Sequence, residues 1–151
     1  MAKRSLVPKP YAGGKWTEAR ARSFVMSSLC RGQWPSRYAA LKAAEVGKRI
    51  NPKSGRLAMH HECAFCLQAF PAKEIAIDHI ETVVPLEGFS EDDDLVFGYN
   101  WNTIVRRLLC EPSGFQILCK PCHQRKTNTE KDLRKKSKGV EKPCDQIDFL
   151  L

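Results

Sequence analysis

The sequence predicts an α+β fold, in which a small core of strands and helices is closed by four cysteines and preceded by a helical extension. Two Cys-x2-Cys pairs, Cys63/Cys66 and Cys119/Cys122, provide four thiols in the arrangement that a tetrahedral, structural zinc site needs. Residues 74–80 alternate in side-chain type as a half-buried strand does. In several other stretches apolar residues repeat every three to four positions, which predicts helices before and after the first pair.

The composition is that of an ordinary folded protein with unevenly distributed charge. Hydrophobic residues make up 42% of the 151 positions, and no apolar run approaches the ~20 residues of a membrane span, so we expect no membrane segment. The net charge is +8, and residues 1–58 carry 13 basic and 2 acidic side chains. Residues 59–118 carry 3 basic and 10 acidic side chains, and residues 119–151 carry 9 and 5. Basic flanks around an acidic centre favour a protein that holds a polyanion at its edges and cations in its middle, although a solvated basic surface gives the same pattern.

The number of cysteines favours a metal site over a disulfide framework. The chain has seven, and the two spaced pairs leave Cys30, Cys110 and Cys144 over. An odd number of cysteines, four of them spaced as metal ligands are, is typical of a protein whose thiols are reduced. The N-terminus is basic but has no apolar stretch behind it, so we expect no signal peptide and a cytoplasmic location.

Residues 1–58 are interpreted as a basic arm followed by a helical extension. Prolines and paired glycines predict an extended arm over residues 1–16. Thr17 is the expected N-cap of a helix over residues 18–30, and a second helix is expected over residues 35–46. The two helices either grip nucleic acid or brace the core, and the two roles are compatible.

The end of this extension is expected to be irregular. Residues 47–58 predict a basic, turn-rich linker. His60 and His61 follow it, and we interpret them as surface histidines because four cysteines already complete the zinc site. The predicted phosphate contacts of the extension are Arg20, Arg31, Lys48 and Arg49.

The segment between the two cysteine pairs must fold into something sizeable. It is 52 residues long, whereas a simple zinc ribbon has ~15–20. Residues 87–94 are interpreted as a solvated acidic loop rather than a second cation site. Residues 98–109 predict a helix, and residues 115–118 a short strand. Pro121 suits the first turn of a last helix, which Gly139 ends.

Two short motifs in this region resemble a known family. Ile77-Asp78-His79-Ile80, followed by Leu118-Cys119-x-x-Cys122-His123-x-x-Lys126-Thr127, is similar to the zinc-stapled branch of the HNH endonucleases, which have a ββα-metal fold. The resemblance covers about residues 63–130, nearly half of the chain. It implies a nuclease domain over residues 59–138 that hydrolyses DNA phosphodiester bonds, with residues 1–58 as a DNA-binding extension. Similar small proteins are encoded by bacteriophages and act in homing-type, nicking or packaging-associated roles.

The resemblance also assigns roles to individual residues. His79 would be the general base, for which an unperturbed pKa of ~6.5 is suitable. Asp78 and His123 would bind a catalytic Mg²⁺ or Mn²⁺. Neighbouring residues of a regular strand point to opposite faces, so Asp78 and His79 can share one site only if the strand ends or bends there. Arg125 and Lys126 are predicted to contact nucleic acid, and Thr127 to support the site.

The sequence departs from the family pattern at one position. Many members have an asparagine where this chain has Gly114, and that asparagine orders the loop that carries the histidine. We expect Asn102 to be a possible substitute. A non-catalytic, zinc-stabilised DNA-binding protein is the main alternative function, and an RNA nuclease is a third.

Residues 139–151 predict a flexible tail. Its last six residues, Gln146 to Leu151, resemble the short peptide by which bacterial DNA enzymes bind the sliding clamp. Packing of the apolar residues on the extension or on a second subunit is the alternative.

Overall fold

A computed structural model describes residues 7–32, 34–90 and 92–139. Three sets of residues discussed above lie outside these ranges: the last six residues, which resemble the clamp-binding peptide, Cys144, and the first part of the basic arm. The fold is α+β, with small sheets and helices, as predicted. Its helices and strands in chain order are α1 (Glu18–Arg31), α2 (Pro35–Ala43), β1 (Glu45–Ile50), β2 (Leu57–Glu62), β3 (Ala69–Pro71), β4 (Ile75–His79), α3 (Trp101–Leu108), β5 (Phe115–Cys119) and α4 (Lys120–Gly139).

Helix α1 begins and ends where the sequence predicts. The Thr17 hydroxyl accepts a hydrogen bond from the Arg20 N–H at 3.3 Å, and Glu18 lies in the first turn, where a negative charge is favourable. Gly32 follows the last turn. The predicted N-cap is therefore confirmed.

The expectation of a linker over residues 47–58 is wrong. Helix α2 already ends at Ala43, and β1 and β2 form an antiparallel hairpin. Its turn is closed by the Asn51 N–H, which donates to the Arg56 carbonyl at 2.8 Å, and Gly55 adopts a φ of +65°. Every residue of β1 is exposed, so the strand lacks the alternation by which half-buried strands are recognised.

The two histidines before the first cysteine pair are buried, not on the surface. His60 is 4% exposed and His61 is 3% exposed. They lie on β2, which is the central strand of a sheet with order β1-β2-β3. The Nδ1 atom of His60 lies 2.9 Å from the Ala58 carbonyl oxygen. The surface interpretation assumed that both histidines follow a linker. They instead lie on a central strand, whose side chains are covered by the neighbouring parts of the fold.

The second sheet carries the residues of the two motifs. Strands β4 and β5 are antiparallel, with Ile75 opposite Cys119, Asp78 opposite Gln116 and His79 opposite Phe115. Helix α4 follows β5 directly. This register places the cysteines at one end of the strand pair and His79 at the other.

The extension packs on the core and braces it. The indole N–H of Trp34, at the start of α2, donates to the Cys110 carbonyl at 2.7 Å. The Arg22 guanidinium of α1 donates to the Phe97 carbonyl at 3.3 Å. The bracing role is thus present in the structure. Among the described residues, no helix combines the length and apolarity needed to cross a bilayer.

Candidate functional site

The four paired cysteines converge on one point, as their spacing predicts. The four Sγ atoms all lie within 4.8 Å of one another, and those of Cys66 and Cys119 are 4.0 Å apart. Tetrahedral zinc with ~2.3 Å bonds to sulfur places the sulfurs about 3.8 Å apart. Three of the residues are buried and Cys66 is partly buried. The donor set and its spacing therefore fit a closed, structural metal site.

The first pair sits on a tight turn that faces β5. The Cys63 carbonyl accepts from the Leu67 N–H at 2.8 Å, and Leu67 adopts a φ of +59° to close the turn. The Ala64 N–H donates to the Ile117 carbonyl at 2.8 Å, which fixes the turn to the strand that carries Cys119. We call residues 63–68 the first knuckle.

The thiols of the cluster differ in their acidity. Burial raises the pKa of Cys63, but the N–H groups of Cys119, Cys66 and Phe65 outweigh it and lower that pKa to about 6. The hydrogen bond with Cys119, followed by burial, raises the pKa of Cys122 to about 12. Burial also raises the pKa of Cys119. A positive ion among the four sulfurs would favour the thiolate form of each.

A second cluster surrounds Asp78, whose side chain is only 17% exposed. Its Oδ2 atom accepts from Lys126 Nζ at 2.5 Å and from Gln116 Nε2 at 2.9 Å. Lys126 also donates to the His79 carbonyl and lies 3.4 Å from the Glu130 carboxylate. One oxygen of Asp78 is thus held by a strand neighbour and by α4.

The other oxygen of Asp78 faces a histidine. Asp78 Oδ1 lies 3.8 Å from His123 Nε2, and His123 is 41% exposed. One divalent ion about 2.1 Å from each atom spans that distance. The two residues therefore fit the predicted cation site, and the exposure of His123 leaves room for water or phosphate oxygens.

The His79 imidazole, at the last residue of β4, makes contacts of its own. Its Nε2 atom is 3.1 Å from the Leu108 carbonyl oxygen, and its ring centroid is 4.6 Å from that of Phe115. Among the described residues, no hydrogen bond or ion pair joins its imidazole to Asp78 or His123. The structure thus brings two of the three predicted catalytic residues together and places the third at the end of α3. A carbonyl at Nε2 favours the tautomer in which Nδ1 is free to accept a proton.

The loop after His79 is held by backbone rather than by an asparagine side chain. The Ile80 N–H donates to the Gly114 carbonyl at 2.9 Å. A Cβ on Gly114 would lie 2.5 Å from the Cys110 sulfur, so a larger residue does not fit there without movement. Asn102 is exposed on α3, and its side chain makes none of the hydrogen bonds in the described part of the chain. Its expected supporting role is therefore not seen.

The predicted nucleic-acid contacts divide into two groups. Arg20, Arg31, Lys48, Arg49 and Arg125 are exposed. Lys126 instead directs its ammonium inward, to Asp78 and Glu130. Thr127 donates to the His123 carbonyl at 3.0 Å, as a residue that supports the helix turn would.

Sequence reasoning missed two residues of the Asp78 cluster. Gln116 contacts Asp78 only because the strand register places it opposite. Glu130 was detectable, since it follows Lys126 by four residues on one helix. No protein-family model, no curated protein and no solved structure matches the chain.

Proposed function

We propose that the protein is a metal-dependent HNH endonuclease that nicks or cleaves DNA, of the small type encoded by bacteriophages. One observation carries the proposal: Asp78, anchored through one oxygen, presents the other to His123 across 3.8 Å. The antiparallel pairing of β4 with β5, the helix α4 that follows β5, and the cysteine cluster support the same family.

Asp78 and His123 are the residues that would hold the divalent cation. When bound, Mg²⁺ or Mn²⁺ neutralises the scissile phosphate and stabilises the departing oxygen. Gln116 and Lys126 fix Oδ2 of Asp78, so that Oδ1 keeps one orientation. A fixed orientation matters because a metal-binding carboxylate that changes position would stabilise the transition state less well.

His79 would take the proton from the attacking water. It is the last residue of β4, so the strand ends where Asp78 and His79 must serve one site. The Leu108 carbonyl holds the hydrogen on Nε2, which leaves Nδ1 as the basic atom. Packing against Phe115 limits rotation of the ring. General-base catalysis by such a histidine contributes typically 10²–10⁴-fold to the rate.

The cysteine cluster has a structural role in the proposal. His123 directly follows Cys122, and the first knuckle is bonded to β5 through Ala64. A zinc ion held by the four sulfurs would therefore fix the start of α4, and with it the position of His123. The exposed basic residues of the extension supply the contacts to DNA phosphates.

Cleavage assays test this function. Supercoiled plasmid, linear DNA and RNA are incubated with the protein in Mg²⁺, in Mn²⁺ or in EDTA and analysed on gels. We expect conversion of plasmid to nicked or linear DNA with either metal, none in EDTA, and a large loss for Asp78→Ala. Cleavage of RNA alone would favour the RNA nuclease. DNA binding without cleavage under all conditions would favour the non-catalytic alternative.

A further inference from the structure

A groove of about 410 Å³ runs between the first knuckle and α4. Its outer wall is Phe65, whose side chain is 69% exposed. The guanidinium of Arg125 lies over the Phe65 ring, 5.9 Å from the ring centroid. Leu118 lies deeper and is buried. Pockets of ~300–1,000 Å³ accommodate small organic groups, so the groove is large enough for a nucleotide.

Exposure alone does not single out Phe65. Leu67, on the same knuckle, is 70% exposed, but it does not line the groove. Phe65 differs because it combines a free aromatic face with a neighbouring positive charge. An aromatic ring and a guanidinium are the groups on which unpaired bases stack, and the guanidinium also attracts the phosphate backbone.

The groove adjoins the candidate catalytic cluster. Gln116 and Lys126 line it, and both also bond to Asp78. A nucleotide bound in the groove would therefore lie next to the phosphate that Asp78 and His123 address. Arg125 gives the rim of the groove a positive charge, which suits a phosphodiester chain. The Lys126 ammonium is paired with Asp78 and with Glu130, which also lines the groove.

We propose that this Phe65 groove (Phe65, Gln116, Leu118, Arg125, Lys126 and Thr129) binds an unpaired base beside the scissile phosphate. The inference rests on the proposed nuclease function and makes it more specific. A base inside a duplex has both faces covered by its neighbours and cannot stack on Phe65. The preferred substrate is therefore DNA with an unpaired or displaced strand at the cleavage point.

Binding measurements without added Mg²⁺ or Mn²⁺ test the groove separately from catalysis. Fluorescence anisotropy compares a labelled single-stranded oligonucleotide with a blunt duplex of the same sequence, using the full-length, zinc-loaded chain. We expect Phe65→Ala to weaken single-strand binding about tenfold, in line with the loss of one base–aromatic stack, and to change duplex binding little. Phe65→Trp should retain binding, and Phe65→Leu should lose it although it keeps the apolar bulk. Leu67→Ala is the matched control and should bind as the parent does.

Each outcome decides the inference. Equal losses for Phe65→Ala and Leu67→Ala, equal losses on single strand and duplex, or full binding by Phe65→Leu would overturn it, and would leave the groove as a surface for some other partner. Zinc content of each variant is measured to ensure that the knuckle is intact. Failure of the nuclease proposal is recognised differently, because it appears as an absence of metal-dependent cleavage whatever the binding pattern.

Discussion

Lys126 and Asp78 form an ion pair of 2.5 Å that joins α4 to β4. The sequence suggested that Lys126 contacts nucleic acid, but the ammonium binds one carboxylate oxygen and leaves the other towards His123. Lys126 is therefore better understood as part of the site that orients Asp78.

Replacement of this lysine should separate its stabilising effect from its effect on metal binding. In Lys126→Met, Asp78 loses a charged hydrogen bond in a largely buried setting, which we expect to cost about 1–3 kcal/mol of folding free energy. Added Mn²⁺ should raise the Tm of the variant more than that of the parent, because the Lys126 ammonium no longer competes with the cation for the Asp78 carboxylate. Thermal unfolding with and without Mn²⁺ measures both effects. Lys131→Met, exposed on the same helix, is the control. A Mn²⁺ shift no larger than in the parent would contradict this role.

The cysteine cluster should contain about one zinc ion per chain. Removal of one ligand, as in Cys119→Ser, should cause loss of zinc and unfolding or aggregation, since a structural zinc ion contributes directly to folding. Cys30→Ser changes an exposed cysteine outside the cluster and should keep the metal. Metal analysis and circular dichroism of the two variants make the comparison. A zinc-free protein that keeps its fold would disprove the structural role.

His79→Ala should lower the cleavage rate by ~10²–10⁴ while DNA binding persists, because only proton transfer is lost. His123→Ala should instead raise the Mn²⁺ concentration needed for half-maximal cleavage. Rates over a Mn²⁺ titration distinguish the two effects. If His79→Ala cleaves as the parent does, the base assigned here is wrong.

Gly114→Ala should destabilise the protein by about 1–3 kcal/mol, because the new Cβ overlaps Cys110. Cys110→Gly removes the overlapping atoms, so the double variant should recover part of the loss. Gly32→Ala is the comparison: its new Cβ would meet one carbonyl oxygen at 3.3 Å, a much smaller overlap, so it should cost less than Gly114→Ala. Urea unfolding gives the three free energies. Strictly additive losses in the double variant would exclude the steric explanation.

The sequence predicted those parts of the fold that depend on residues close together in the chain. The cysteine spacing brought four sulfurs together, Thr17 capped α1, and the apolar repeat placed α3 close to its observed bounds. The hairpin of β1 and β2 was missed because the exposed β1 has no apolar face, and its pairing depends on β2.

The candidate site was only partly predictable for a related reason. Asp78 and His123 were expected together, and their separation agrees with that expectation. The anchoring of Asp78 by Gln116 follows from strand register, which requires knowledge of which residues lie opposite. The position of the His79 ring depends on the Leu108 carbonyl at the end of α3, which is 29 residues further along the chain. A short sequence motif does not show such a contact.

The hydrogen bond from Trp34 to the Cys110 carbonyl makes the extension and the core interdependent. Cys110 lies two residues after Leu108, whose carbonyl orients His79. The extension therefore supports the segment that orients His79, the proposed general base, and cannot be removed without affecting that segment. Deletion of residues 1–58 would remove the proposed DNA contacts together with the Trp34 hydrogen bond, so a truncated chain cannot report on either one alone. Exchange of single exposed charges such as Lys48 and Arg49, which leaves Trp34 in place, keeps the two contributions apart.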